Sequence, residues 1–392
     1  MLPLANLTVV SLEQAVAAPF ATRQLADLGA RVIKIERPGT GDFARAYDTT
    51  VKGLSSYFVW LNRSKESLTL DLKKPGGRDI LERLLARADV FVQNVAPGAS
   101  DRLGTAASDL RARFPRLIVC SVTGYGTSGP YAARKAYDLL VQSEVGLVSL
   151  TGSADAPAKA GISVADIAAG MYAYSGILTA LLGRGSHGRG AVVDVSLFDA
   201  LGEWMSAPAY YTAYGGSSPA RTGPHHASIA PYGPVTTRDG VTVYIGVQNE
   251  AEWERLCRKV LERPDLLTDQ RFTTNPSRVR HRQALDEAIS GVARELTAES
   301  LVARLDAAQI AHARMSTMAD FVAHPQLEAR GRWREIDSPA GTLRALAPPV
   351  QIDQLAPAMG PVPALGAHTD AILDELGFSR DQVAAWRTEG TI

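Results

Sequence analysis

The 392-residue chain has only two cysteines, Cys120 and Cys257, and neither lies in a CxxC pair. A disulfide framework is therefore excluded, and a reducing, cytoplasmic setting is the expectation. No glycine occurs between Met1 and Gly29, so the first β-α turn, EQAVAAP, lacks the residues that let a backbone approach a pyrophosphate. This disfavours a nicotinamide enzyme, although Glu36 ends the second strand-like run where a ribose-binding acid could stand. A GxxxxGKS/T phosphate loop is also missing. The seven histidines, at 187, 225, 226, 281, 312, 324 and 368, make no HExxH or comparable spacing, so no metal centre is expected. No GxSxG elbow is present; its nearest approach, Ser175 in AYSGI, has Ala173 in place of the first glycine. Net charge is lacking too. Forty-one basic residues offset forty-one acidic ones, which removes any global electrostatic case for nucleic acid or an anionic membrane. MLPLANLTVVSLEQ reads as a first strand and not a signal peptide. The longest apolar run, after Asp166, is interrupted by Gly170, Tyr172, Tyr174, Ser175 and Gly176, which argues against a membrane span.

What is present is an alternation of short β-rich and longer helical segments. LTVVSL (7–12) and RVIKIE (31–36) read as strands around a helix from Pro19 to Leu28. DLKKPGGRDILERLLARA reads as a helix, DVFVQN and RLIVCSV as strands, the Asp166 segment as a long buried helix, and GAVVDVSL (190–197) as another strand. The succession predicts an α/β domain with a large, Rossmann-like, mainly parallel sheet. After Tyr214 a stretch rich in glycine, proline and serine reads as a linker loop. VTVYIGV and three helical runs, 250–261, 283–296 and 299–308, then indicate a smaller α+β domain. The expected divisions are 1–214, 215–330 and a proline-rich C-terminal return over 331–392, ending in two short helices.

Asp166 stands alone at the start of its apolar helix, with no other acidic residue between Asp155 and Asp194. Two readings are open. The carboxylate is an N-cap for the first free N–H groups, or a nucleophile kept ionised by the helix end. Arg37, Lys73, Asn94 and Arg102 follow strands, where ligands of open α/β sheets bind, though each singly is more often solvated surface.

The strings AAPFATRQLADLGARVIKIERPGTGD (17–42), LNRSKESLTLDLKKPGG (61–77), ADVFVQNVAPGASDRLG (88–104) and SVTGYGTSGPY (121–131) strongly resemble the family III CoA-transferases, the formyl-CoA transferase and carnitine CoA-transferase group. KAYD (135–138), GRGAVVDVSLFDA (188–200), AHPQLEARG and LGAHTDAILDELG extend the resemblance over nearly the whole chain. It implies that Asp166 is the nucleophile and that coenzyme A meets Gln14, Ala15, Arg37, Leu70, Lys73, Asn94, Arg102, Lys135 and Tyr137. Arginine and lysine suit its phosphates, while Leu70 and Ala15 suit its apolar parts. Val16 stands where formyl-CoA transferase has a substrate-side glutamine, which points to a different small acid. Arg45, Arg221 and His226 are candidate partners for that acid's carboxylate.

The α-methylacyl-CoA racemases share the fold and the aspartate, but they need a histidine where this chain has Tyr137, so proton transfer between two faces lacks its second base. The resemblance thus implies a CoA-transferase working through mixed anhydrides and an aspartyl-CoA thioester, with succinyl-CoA and a C4 or C5 dicarboxylate as the preferred pair. It also implies no tightly bound cofactor, a cytoplasmic location, and an interlocked homodimer whose large domain is completed by the C-terminus. The 215–233 loop is a candidate lid, with a plain linker as the alternative. A racemase-like isomerase and a non-catalytic CoA-binding protein are the remaining alternatives.

Overall fold

A computed structural model describes residues 1–392, which form two compact units. The first comprises residues 1–145, 160–206 and 328–392, and the second 146–159 and 207–327.

In the first unit six parallel strands form one sheet in the order β3-β2-β1-β4-β5-β6. They are β1 (Thr8–Leu12), β2 (Arg31–Glu36), β3 (Lys65–Thr69), β4 (Val90–Gln93), β5 (Ile118–Thr123) and β6 (Val192–Ser196). β4 is buried at all four residues, as expected of a central parallel strand covered on both faces. The first three strands are less uniform. Alternation sends Val10, Ile33, Ile35 and Leu68 into an apolar core with the Pro75–Leu85 helix. Their neighbours Ser11, Lys34 and Ser67 pair in register across the other face as a buried polar stripe.

Helix α1 (Ala17–Asp27) and the 24-residue Val164–His187 helix pack closely together. Gly170 permits the approach, since a Cβ there would lie 2.6 Å from the Ala17 carbonyl oxygen. By length and composition the 164–187 helix could cross a membrane. Here it buries Ala165, Ala168, Ala169, Ala173 and Ile177 on one side as a component of the α/β unit.

The C-terminal return closes the edge of the sheet at β3. His368 donates its N–H to the Ser67 carbonyl at 3.0 Å, and its Nδ1 accepts from the Ser67 N–H at 3.1 Å. Ile372, Leu373, Leu376 and Phe378, in and after the Thr369–Glu375 helix, join the apolar core. A free strand edge and a bare apolar face are covered together.

The second unit is built on an antiparallel sheet, β7 (Tyr232–Thr236), β8 (Thr242–Gly246) and β9 (Ala311–Arg314), in sequential order. The Arg282–Ala293 and Ala298–Ala307 helices supply Leu285, Ile289, Leu301 and Leu305 to its core. Segment 146–159 belongs here because the Arg221 guanidinium donates to the carbonyls of Ser149, Ser153 and Ala154.

Candidate active site

Strand order reverses between β1 and β4, and beyond the carboxyl ends of these strands opens a cleft of about 1170 Å³. This is the place where an open α/β sheet leaves room for a ligand, because successive connections depart to opposite sides. Residues 13–17, after β1, and 94–97, after β4, form adjoining walls. Asp166 and Tyr137 lie on the same cleft.

Asp166 is the third residue of its helix and is half-buried. It is not the cap. That part is taken by Asp138, whose Oδ1 accepts from the backbone N–H groups of Ala165 at 2.8 Å and Asp166 at 3.3 Å. The Gln142 amide donates to the other Asp138 oxygen at 2.7 Å. The Asp166 carboxylate accepts no hydrogen bond within the chain. Burial raises its pKa to about 7, and the nearby Asp138 charge adds to the rise. The expectation that the helix end keeps Asp166 ionised is therefore corrected: the end is spent on Asp138, a like charge.

Tyr47, unremarked in the sequence, also lines the cleft and feels the Asp166 charge. Burial, then Asp42 and Asp166, push its hydroxyl up to about 12, so it is a donor throughout the physiological range. Tyr47 meets Tyr57 edge-on at 5.5 Å, and Phe43 at 5.7 Å extends this aromatic side of the cleft. Val16 and Ala17, at the start of α1, face the cleft as well; no side chain caps this helix and no acid sits in its first turn.

Of the residues implied to meet coenzyme A, Gln14, Ala15, Arg37, Leu70, Lys73, Asn94, Lys135 and Tyr137 all line the one cleft, as does Arg134. Arg37, Lys73, Arg134 and Lys135 are solvent-exposed cations suited to phosphate or carboxylate groups, whereas Leu70 is buried. Arg102 is outside the lining. It belongs to the short Ala99–Leu103 helix, which contributes Ala99 and Leu103 instead.

Of the candidates for the small acid, only Val16 is in the cleft. Arg45 is a fork on Glu36, with Nε–Oε1 at 2.8 Å and Nη2–Oε2 at 2.7 Å, and this pairing helps hold the Glu36 carboxyl at about 2. Arg221 is occupied by the three carbonyls described above. His226, in the second unit, stacks on Tyr232 at 5.3 Å and accepts from the Ser228 N–H through Nδ1. These three side chains were attractive in sequence because their partners could not be seen.

Behind the β1–α1 turn lies a fully buried charge network. Glu13 takes Lys65 at 2.7 Å, Lys34 takes Asp42 at 2.7 Å, and Thr22 donates to Glu13 at 2.7 Å. Gly41, at φ +68°, turns the chain so that the Asp42 N–H donates to Glu36 at 2.9 Å. Lys34 and Glu36 alternating with isoleucine and valine in RVIKIE were the available signal, since an apolar strand carries such charges only when they are matched.

The sequence profile of CoA-transferase family III matches residues 4–369. An acyl-CoA transferase of Fusarium pseudograminearum is 34% identical over 99% of this chain and 88% of its own length. The succinyl-CoA:glutarate CoA-transferase of Mus musculus is 35% identical over 96% of this chain and 87% of its own. Among solved structures, a CAIB/BAIF family protein from Brucella suis superposes with a TM-score of 0.83 at 35% identity, covering 96% of this chain and 99% of that one.

Proposed function

The chain belongs to CoA-transferase family III and is a CoA-transferase, and we propose that it moves coenzyme A from an acyl-CoA, with succinyl-CoA as preferred donor, to a C4 or C5 dicarboxylic acid through Asp166. The observation that carries this reading is an unpartnered carboxylate standing in a cleft lined by four exposed cations and an uncapped helix start.

In the proposed sequence an Asp166 oxygen attacks the thioester carbonyl; the C–S bond breaks, giving a mixed anhydride and CoA thiolate. The thiolate attacks the aspartyl carbonyl and expels the donor acid as its carboxylate, leaving an aspartyl-CoA thioester. The acceptor carboxylate then attacks that thioester, and the released thiolate takes the acceptor's acyl group while Asp166 leaves as a free carboxylate. Thioester energy is conserved at every step, provided water is excluded. Relatives acting on succinyl-CoA and glutarate support the dicarboxylate class. The exposed cleft cations support its charge requirement.

Incubation with succinyl-CoA followed by mass spectrometry of the Asp166 peptide tests the reading, with Asp166→Ala as control. A CoA adduct on the wild type alone is expected. Exchange of the α-proton in deuterated water without an adduct would support a racemase-like isomerase; neither signal would support a binding protein. We extend the proposal to a cytoplasmic homodimer with no tightly bound cofactor. Leu182 and Trp204, exposed on helices of the first unit, are surfaces a second copy would cover.

A further inference from the structure

The β1–α1 turn holds an alanine where the backbone calls for glycine. Ala15 has φ +61°, in the left-handed region, which costs an L-residue on the order of tenfold in population relative to glycine. Two side chains oppose that cost. The Asn94 amide brackets Gln14, its Oδ1 accepting from the Gln14 N–H at 2.8 Å and its Nδ2 donating to the Gln14 carbonyl at 2.8 Å. Asp42 Oδ1 accepts from the Ala15 N–H at 3.1 Å. Asp42 is itself immobilised: Lys34 holds its other oxygen at 2.7 Å, and its first oxygen also takes the Ala44 N–H at 2.9 Å.

Both hydrogen-bonding faces of the Asn94 amide are thus turned to the protein, although the residue lines the cleft. We propose that Asn94 and Asp42 are positioning residues that lock Ala15 in the left-handed conformation, and thereby fix the Gln14–Ala17 wall against which the reacting thioester is aligned with Asp166. Asn94 so acts on the rate of acyl transfer and not on the affinity for coenzyme A. The inference rests on the CoA-transferase reading of the cleft. It departs from that reading's assignment of Asn94 as a direct contact to coenzyme A.

The test compares Asn94→Ala, Asn94→Asp, and Asn94→Ala combined with Ala15→Gly. Free coenzyme A is titrated calorimetrically, turnover is measured with succinyl-CoA and glutarate, and crystals report the residue-15 backbone. Asn94→Ala should lower kcat by about 10- to 100-fold, the range expected of a wall displaced by about an ångström, with Kd for coenzyme A within about threefold of wild type. Asn94→Asp keeps the acceptor and loses the donor, so its kcat should be intermediate.

Adding Ala15→Gly to Asn94→Ala should recover about tenfold in kcat, since glycine adopts the left-handed conformation without help. A merely destabilising loss at position 94 would not be repaired by glycine. An Asn94→Ala enzyme that keeps kcat and loses coenzyme A affinity tenfold or more overturns the proposal, as does an Asn94→Ala crystal with φ still positive at residue 15. A wild type with neither adduct nor turnover defeats the functional reading, and the clamp with it. A wild type that forms the adduct, beside an Asn94→Ala variant of normal kcat, defeats the clamp alone.

Discussion

Asp166 is a carboxylate from which the fold withholds what a buried anion ordinarily finds. The two N–H groups it might have used go to Asp138, and the Asp138 charge stays nearby. Because its pKa rises from 3.8 to about 7, the folded state prefers the protonated acid. The stability this group confers is complete below pH 4 and is lost as pH rises through 7. Above pH 7 the anion costs roughly a few kcal/mol. Asp166→Asn should therefore raise the urea midpoint above wild type at pH 8, with the two converging near pH 4. The same substitution should remove adduct formation and lower turnover by at least about 1000-fold, as for loss of a nucleophile. Since only the anion attacks, kcat/KM should fall as pH drops below about 7, the value carried by Asp166. Asp138→Asn, which keeps an acceptor for the helix N–H groups and removes the like charge, should move that break to lower pH in a pH–rate profile.

At the scale of elements, the site depends on how closely two helices approach. Gly170 lies one turn after Asp166 and touches the first residue of α1, so Asp166 and the β1–α1 turn are set against each other by one missing methyl group. In an ordinary helix Gly→Ala is stabilising by about 1 kcal/mol. At Gly170 the added Cβ would sit 2.6 Å from the Ala17 carbonyl oxygen and 3.0 Å from the Phe20 ring, so Gly170→Ala should instead destabilise by about 1–3 kcal/mol and reduce kcat. Chemical denaturation and steady-state rates check the two halves.

Much of this level was legible in the sequence. RVIKIE is β2 over its full length, the Asp166 run is one helix, and the α/β alternation yields a parallel sheet. Less legible was whatever depended on a distant partner. Asp138 reads as part of KAYD until its helix meets residues 165 and 166, and Asp42 as the end of a turn until Lys34 reaches it from β2. Arg45 looked free for the opposite reason, because Glu36 lies nine positions back on a strand whose facing could not be assigned.

For the whole molecule, the decisive fact is that the first unit is discontinuous in sequence: the chain leaves it at residue 206 and returns at 328. The return is structural, since residues 366–378 cover the β3 edge and bury Ile372 and Leu373. If two copies interlock, as the family resemblance implies, neither can be separated from the other without breaking that return. Dissociation then requires undoing backbone hydrogen bonds and apolar burial, and exchange becomes as slow as unfolding. A homodimer with separable subunits would exchange at the ordinary off-rate of a surface contact. Two differently tagged preparations, folded separately and mixed at neutral pH, should accordingly yield almost no mixed dimer over hours, while co-expression or joint refolding from urea should yield about half. Ready formation of mixed dimers from native protein would show that the two chains are not interlocked.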